Sequence, residues 1–178
     1  MMNTENSSLQ DVDKEMMKER ILIIEPDEHI GTLLQKNLEN EFHLHVDLCT
    51  SSDQALHLLN QKSYALISTE QYLPGQIGPQ KGSRLVKELR LGQNKNRNIP
   101  ILFFTTYAGE VFADHTLNKE DVFVLDKTSR VEKYLTWVKI LLQSHKRRKE
   151  HEESVPVMAQ DESSKQAKSP TKILSLSR

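Results

Sequence analysis

A single cysteine, Cys49, stands in 178 residues. No internal disulfide can form and no cysteine-based zinc cage can be built, which suits a reducing compartment. No stretch of about 18 apolar residues occurs, so no helix is expected to span a membrane. The opening MMNTENSSLQDVDKEMMKER lacks the apolar centre of a secretory leader. An excess of charge of one sign is lacking too. The formal net charge is −1, which leaves no bulk field directed at nucleic acid or membrane. Also missing are a phosphate-binding glycine loop, a zinc motif and a nucleophile–base pair, the usual sequence marks of an enzyme. The expectation is a soluble, cytoplasmic protein that is not an enzyme.

The chain is only 37% hydrophobic, but its apolar residues are unevenly spread. They crowd between Ile21 and Leu142. Residues 1–19 read as a flexible N-terminal arm and residues 20–144 as one folded domain. Residues 145–178 read as a disordered C-terminal tail, rich in Ser, Lys, Gln and Pro, that buries too little surface to offset its ordering entropy.

Within the domain, short apolar runs alternate with helical patterns. Ile21–Ile24 is the first run, followed by Ile30, Leu33, Leu34 and Leu38 at helical spacing. His43–Leu48 alternates polar and apolar residues, as a half-exposed edge strand does. Ser52 or Asp53 is placed to cap a helix carrying Ala55, Leu58 and Leu59. Ala65–Thr69 is the third run, and Gly82 precedes a helix with Leu85, Val86 and Leu89. A polar loop over 92–98 leads to the run ending at Phe104. A weaker helix over roughly 109–117, the run Val122–Leu125 and a last amphipathic helix from Val131 to Leu142 complete the series. Five βα units with mostly continuous apolar strands predict a parallel sheet with helices on both faces.

In open α/β sheets the functional site lies beyond the carboxyl ends of the strands. Glu25, Pro26 and Asp27 follow the first run, Glu70 the third, Thr105 and Thr106 the fourth, and Asp126 and Lys127 the fifth. The stretches ILIIEPDEHIGTLLQKNL, ALHLLNQKSYALISTEQYLPG, GSRLVKELR, IPILFFTT and VFVLDKTS, with the spacing of these residues, resemble the receiver domain of response regulators. The resemblance runs from Arg20 to about Gln143. It implies a flavodoxin-like, doubly wound five-stranded sheet of order 2-1-3-4-5. It also implies a place in bacterial two-component or phosphorelay signalling. The length changes against the family pattern are a few extra residues near 76–81 and about one after the third helix.

In the family, an aspartate at the position of Glu70 becomes an acyl phosphate, two acids after the first strand hold Mg²⁺, and a hydroxyl and a lysine contact the phosphoryl oxygens. Thr105 and Lys127 match the last two, and Glu25 matches the first acid in kind. Pro26 stands where the second acid belongs, and Glu70 replaces the phosphoacceptor. A glutamate reaches about 1.5 Å further than an aspartate, whereas in-line transfer requires placement within about 0.5 Å. Proline gives a metal no oxygen, and Mg²⁺ tolerates a broken octahedron poorly. The expectation is therefore a pseudo-receiver that regulates protein partners without phosphorylation. No cofactor is expected and Mg²⁺ binding is weakened, with Glu25, Asp27 and Glu70 as the weak metal candidates. Two alternatives stay open: a working but atypical phosphoacceptor, and an adaptor that binds nucleic acid or an anionic surface through its basic tail.

Other residues carry lesser expectations. His43 and His45 alternate as a metal pair would, but read better as solvated strand residues. His29 lies beside the acidic cluster as an extra ligand candidate. Trp137 and Ile140 fall off the core stripe of the last helix. With Tyr107 and Phe112 they are candidates for a partner surface, including self-dimerisation through the last helix. The family's switch aromatic falls at Val124, an aliphatic. The basic block Lys146–Lys149 runs directly into Glu150, Glu152 and Glu153, which blunts its field and disfavours a nucleic-acid role.

Overall fold

The computed structural model describes residues 19–154. The arm expected before Glu19 and the tail beyond Ser154 lie outside the described residues. The elements are β1 (Arg20–Ile24), α1 (Glu28–Phe42), β2 (His45–Cys49), α2 (Ser52–Gln61), β3 (Leu66–Thr69), β4 (Tyr72–Leu73), β5 (Gln80–Lys81), α3 (Gly82–Leu91), β6 (Ile101–Thr105), α4 (Ala108–Ala113), β7 (Val122–Asp126) and α5 (Val131–Ser154). The main sheet runs β2-β1-β3-β6-β7, and every pairing in it is parallel. Counted by its own five strands, this is the expected order 2-1-3-4-5.

Period-two alternation divides the core into two layers. Ile21 and Ile23 of β1 face one layer with Leu34 and Leu38 of α1 and Tyr134, Val138 and Leu141 of α5. Leu22 and Ile24 face the other with Ala55 and Leu59 of α2, Leu85 and Leu89 of α3 and Val111 of α4. The central strands β1, β3 and β6 are therefore buried on both faces, as their unbroken apolar runs require. Each such side chain contributes about 1.5–3 kcal/mol through burial.

Helix ends follow local chemistry. Asp27 caps α1 by accepting from the His29 and Ile30 amides. That helix ends at His43, in the left-handed region at φ 53°, so His43 is a cap and not a strand residue. The cap of α2 is Ser51, one residue earlier than expected, and it accepts from the Gln54 amide. Ser52 instead donates to the Pro74 carbonyl at 3.2 Å, and Asp53 accepts from the Gln76 amide at 2.8 Å. Both therefore brace the segment after β3.

Three further features differ from expectation. The extra residues near 76–81 lie in and beside an antiparallel pair, β4 with β5, set apart from the main sheet. Helix α4 stops at Ala113, where Asp114 pairs with Lys87 at 2.8 Å. Helix α5 continues past 144 to Ser154, because His145 is buried on its inner face and Arg148 is paired with Asp121. No helix among the described residues is long and apolar enough to cross a membrane.

Candidate functional site

The parallel ladder delivers the site residues at the strand ends, Thr105 as the last residue of β6 and Glu25, Glu70 and Lys127 one step beyond theirs. The Glu25 amide donates to the Cys49 carbonyl at 2.9 Å, the Glu70 amide to the Ile24 carbonyl at 3.0 Å and the Lys127 amide to the Thr105 carbonyl at 3.2 Å. Glu25, Glu70, Thr105 and Lys127 thereby meet above the centre of the sheet.

The four side chains form one network. The Lys127 Nζ lies 2.7 Å from Glu25 Oε2 and 2.6 Å from Glu70 Oε2. Thr105 Oγ1 donates to Glu70 Oε1, which also accepts from the Gln71 amide at 2.7 Å. The Tyr107 amide donates to Thr105 Oγ1 at 3.0 Å. Glu25 Oε1 accepts from the Asp27 amide at 3.1 Å. Each acceptor is thus occupied by a donor, as buried polar groups require.

Burial of Glu25 pushes its carboxyl above the ordinary value, with Lys127 and the Asp27 amide opposing that shift. For Lys127 burial pulls the other way, but the two glutamates outweigh it and hold the ammonium above its usual range. The pocket is thus an ion triad with one cation between two carboxylates.

This donor set does not suit Mg²⁺. The ammonium of Lys127 already sits against both carboxylates. Pro26 offers no side-chain oxygen, and Asp27 is exposed and committed to the α1 cap. Asp27 is therefore outside the acidic pocket in which the sequence set it. Among the described residues no three His, Cys, Asp or Glu side chains are grouped to hold a metal ion.

The loop after β3 is clamped from below by residues that the sequence did not mark. Gln71 is fully buried, accepts from the Ser83 amide at 3.1 Å and donates to Ser83 Oγ at 3.3 Å. Gly82 lies so close that a Cβ there would run into the Glu70 carbonyl oxygen, so only glycine fits. The β4–β5 pair reaches across to α4. Tyr72 donates to Glu110 Oε2 at 2.7 Å, Lys81 lies 3.1 Å from the same oxygen, and the Tyr72 and Tyr107 rings meet edge-on at 4.6 Å. A buried glutamine inside a polar stretch and two two-residue strands carry no periodic signal that would reveal them.

The remaining candidates scatter. His29 and His45 are exposed. Trp137 is half-buried, packs on the inner layer and meets Phe123 at 6.0 Å, so it extends the core. Tyr107, Phe112 and Ile140 are exposed, on or beside the two helices that flank the edge strand β7. Val124 packs against the α4-side layer.

A parallel sheet of this order, with acids, a hydroxyl and a lysine gathered at its carboxyl edge, defines a flavodoxin-like domain. Residues 21–139 match the model of the response regulator receiver domain, and the chain belongs to that family. It is a receiver domain of two-component signalling. Among solved structures it is similar to a sensor protein from Polaromonas sp. JS666, at 25% identity and TM-score 0.62, over 72% of this chain and 98% of that one. It is also similar in fold to the Francisella response regulator 1452 receiver domain, at 20% identity and TM-score 0.60, over 71% and 98%. A CheY-like receiver domain protein from Methanospirillum hungatei JF-1 is similar in fold at 20% identity and TM-score 0.61, over 73% and 98%. No curated protein matches the chain in sequence.

Proposed function

We propose that this chain is a pseudo-receiver that regulates protein partners in the cytoplasm by phosphorylation-independent contact. The observation that carries the reading is the double engagement of Glu70, which accepts from Thr105 and pairs with Lys127 at 2.6 Å. In the family those two residues hold phosphoryl oxygens. Here the carboxylate supplies one negative charge and two acceptors in their reach, a partial stand-in for phosphate. Thr105 and Tyr107 are thereby held in one arrangement by the sequence itself.

Two features disfavour phosphotransfer. Glu70 already has its oxygens occupied by a hydroxyl, an amide and an ammonium. The second metal acid is Pro26, and Lys127 sits against the acids that remain. Output then falls to the exposed Tyr107, Phe112 and Ile140 around α4, β7 and α5, as a surface for a protein partner or a second copy. The chain acts by binding rather than by catalysis.

Exposure to labelled acetyl phosphate with Mg²⁺ tests the reading. The native chain is expected to take up no label. The double variant Pro26→Asp, Glu70→Asp restores both acids and is expected to gain it. Stable labelling of the native chain at Glu70 would overturn the proposal and restore an atypical phosphoacceptor.

A further inference from the structure

A second site lies at the opposite edge of the sheet. Tyr64, Ile99 and Asp121 immediately precede or lead into β3, β6 and β7, so they mark the amino ends of those strands. Together with the loop over 92–98 and the far end of α5 they line a cleft of about 540 Å³. That volume falls within the range of small-molecule sites, roughly 300–1,000 Å³.

The cleft is cationic. Arg90, Lys95, Arg97, Arg148 and Lys149 line it, against Glu120 and Asp121. Asp121 and Arg148 pair with one another, which leaves Arg90, Lys95, Arg97 and Lys149 against Glu120. Arg90 is pinned in the wall, donating to the carbonyls of Arg97 and Ile99. Two buried side-chain nitrogens, His145 Nε2 and Arg148 Nε, have no hydrogen-bond partner among the described residues, and both residues line this cleft. His145 is only 6% exposed. Orphaned buried nitrogens are rare because each carries an uncompensated desolvation cost. An acceptor entering the cleft would remove that cost, and a multiply charged one would complement the surrounding cations.

We propose that this cleft binds a small anion carrying two or more phosphate groups, with Arg148 and His145 as the deep contacts and Arg97 and Lys149 at the rim. The cleft is concave and bounded, which favours a small molecule over a nucleic-acid strand. The acids that follow Lys149 in sequence also blunt any extended basic track. Nothing in the site requires the carboxyl-edge triad, so the two readings stand independently.

Calorimetric titration of the full chain at low salt with inorganic tripolyphosphate, and separately with ATP, tests this. Saturable one-to-one binding is expected for at least one. Equal affinity identifies the phosphate chain as the recognised part, and preference for ATP identifies a nucleotide. Arg97→Glu with Lys149→Glu, both on exposed positions, should weaken binding by about tenfold or more, whereas Lys139→Glu on the outer side of α5 should leave it unchanged. The ring resonances of His145 should shift on binding. No binding of either probe, equal loss in the Lys139→Glu control, or tighter binding of a single-stranded oligonucleotide would overturn the proposal.

Discussion

The carboxylate of Glu70 and the ammonium of Lys127 meet at 2.6 Å, with only 8% and 13% of their side chains exposed. Charges so withdrawn from water gain little over an apolar pair of similar volume, yet breaking one partner away is costly. The contact therefore fixes a conformation more than it adds stability. Lys127 also holds Glu25 at 2.7 Å, which makes a cation the hinge of the whole carboxyl-edge site.

Glu70→Gln keeps the size of the side chain and removes its charge. Lys127 retains Glu25, so the loss is expected at about 2–3 kcal/mol, read by urea denaturation. Glu70→Ala should cost at least as much. A loss near zero in both would mean that Glu70 is not held by Lys127 and Thr105.

Alkaline pH should loosen the triad. Burial opposes the charge of Lys127, but Glu25 and Glu70 together hold it above its ordinary value of 10.5. A group with a raised folded value contributes stability that is fully present below its unfolded value and is lost as pH rises through the folded one. Lys127→Met should therefore be less stable than the native chain at neutral pH, and the gap should narrow above about pH 10.5. Chemical denaturation at a series of pH values reads this directly.

Gly82→Ala places a methyl group against the Glu70 carbonyl, a backbone atom that has little room to move. Overpacking of this kind costs about 2–3 kcal/mol. The amide resonances of Glu70 and Gln71 should shift with it, because Gly82 also donates to the Gln71 carbonyl at 2.7 Å. Gly109, where an added Cβ would meet no atom within 4 Å among the described residues, is the control position at which alanine is tolerated.

Mild acid should destabilise the opposite edge. Burial, with Lys149 and Arg148 nearby and Asp121 opposing, lowers His145 from its ordinary 6.5 to about 4. Over that interval the unfolded chain binds a proton that the folded chain refuses, so stability rises with pH between about 4 and 6.5. The contribution is about 3 kcal/mol in all. In His145→Leu the share of the slope that lies toward pH 6.5 should be lost relative to the native chain, as read from denaturation midpoints across the same range.

The features legible in sequence are those with a period or a fixed spacing. Continuous runs such as Ile21–Ile24 marked strands buried on both faces, and those strands deliver Glu25, Glu70, Thr105 and Lys127 to one pocket. Features held by single polar contacts stayed hidden. Asp27, a weak metal candidate beside Pro26, serves as a helix cap. Asn96 sits in a loop that reads as solvated, yet it is fully buried and its side chain bonds the Tyr64 amide and the carbonyls of Leu59 and Lys62. The β4–β5 pair is too short to alternate. The polar composition after Ser144 suggested a tail, but Lys and Arg are good helix formers, and buried His145 extends the packed face by another turn.

The most direct test of the Glu70 account is a titration of the native chain with Mg²⁺ and beryllofluoride, followed by the amide resonances of Glu70, Gln71, Thr105 and Lys127. Because the carboxylate already occupies Thr105 and Lys127, these resonances are expected to stay where they are at millimolar ligand. Saturable shifts at all four positions would contradict the account, since they would mean that the pocket opens to take a phosphoryl analogue and its metal.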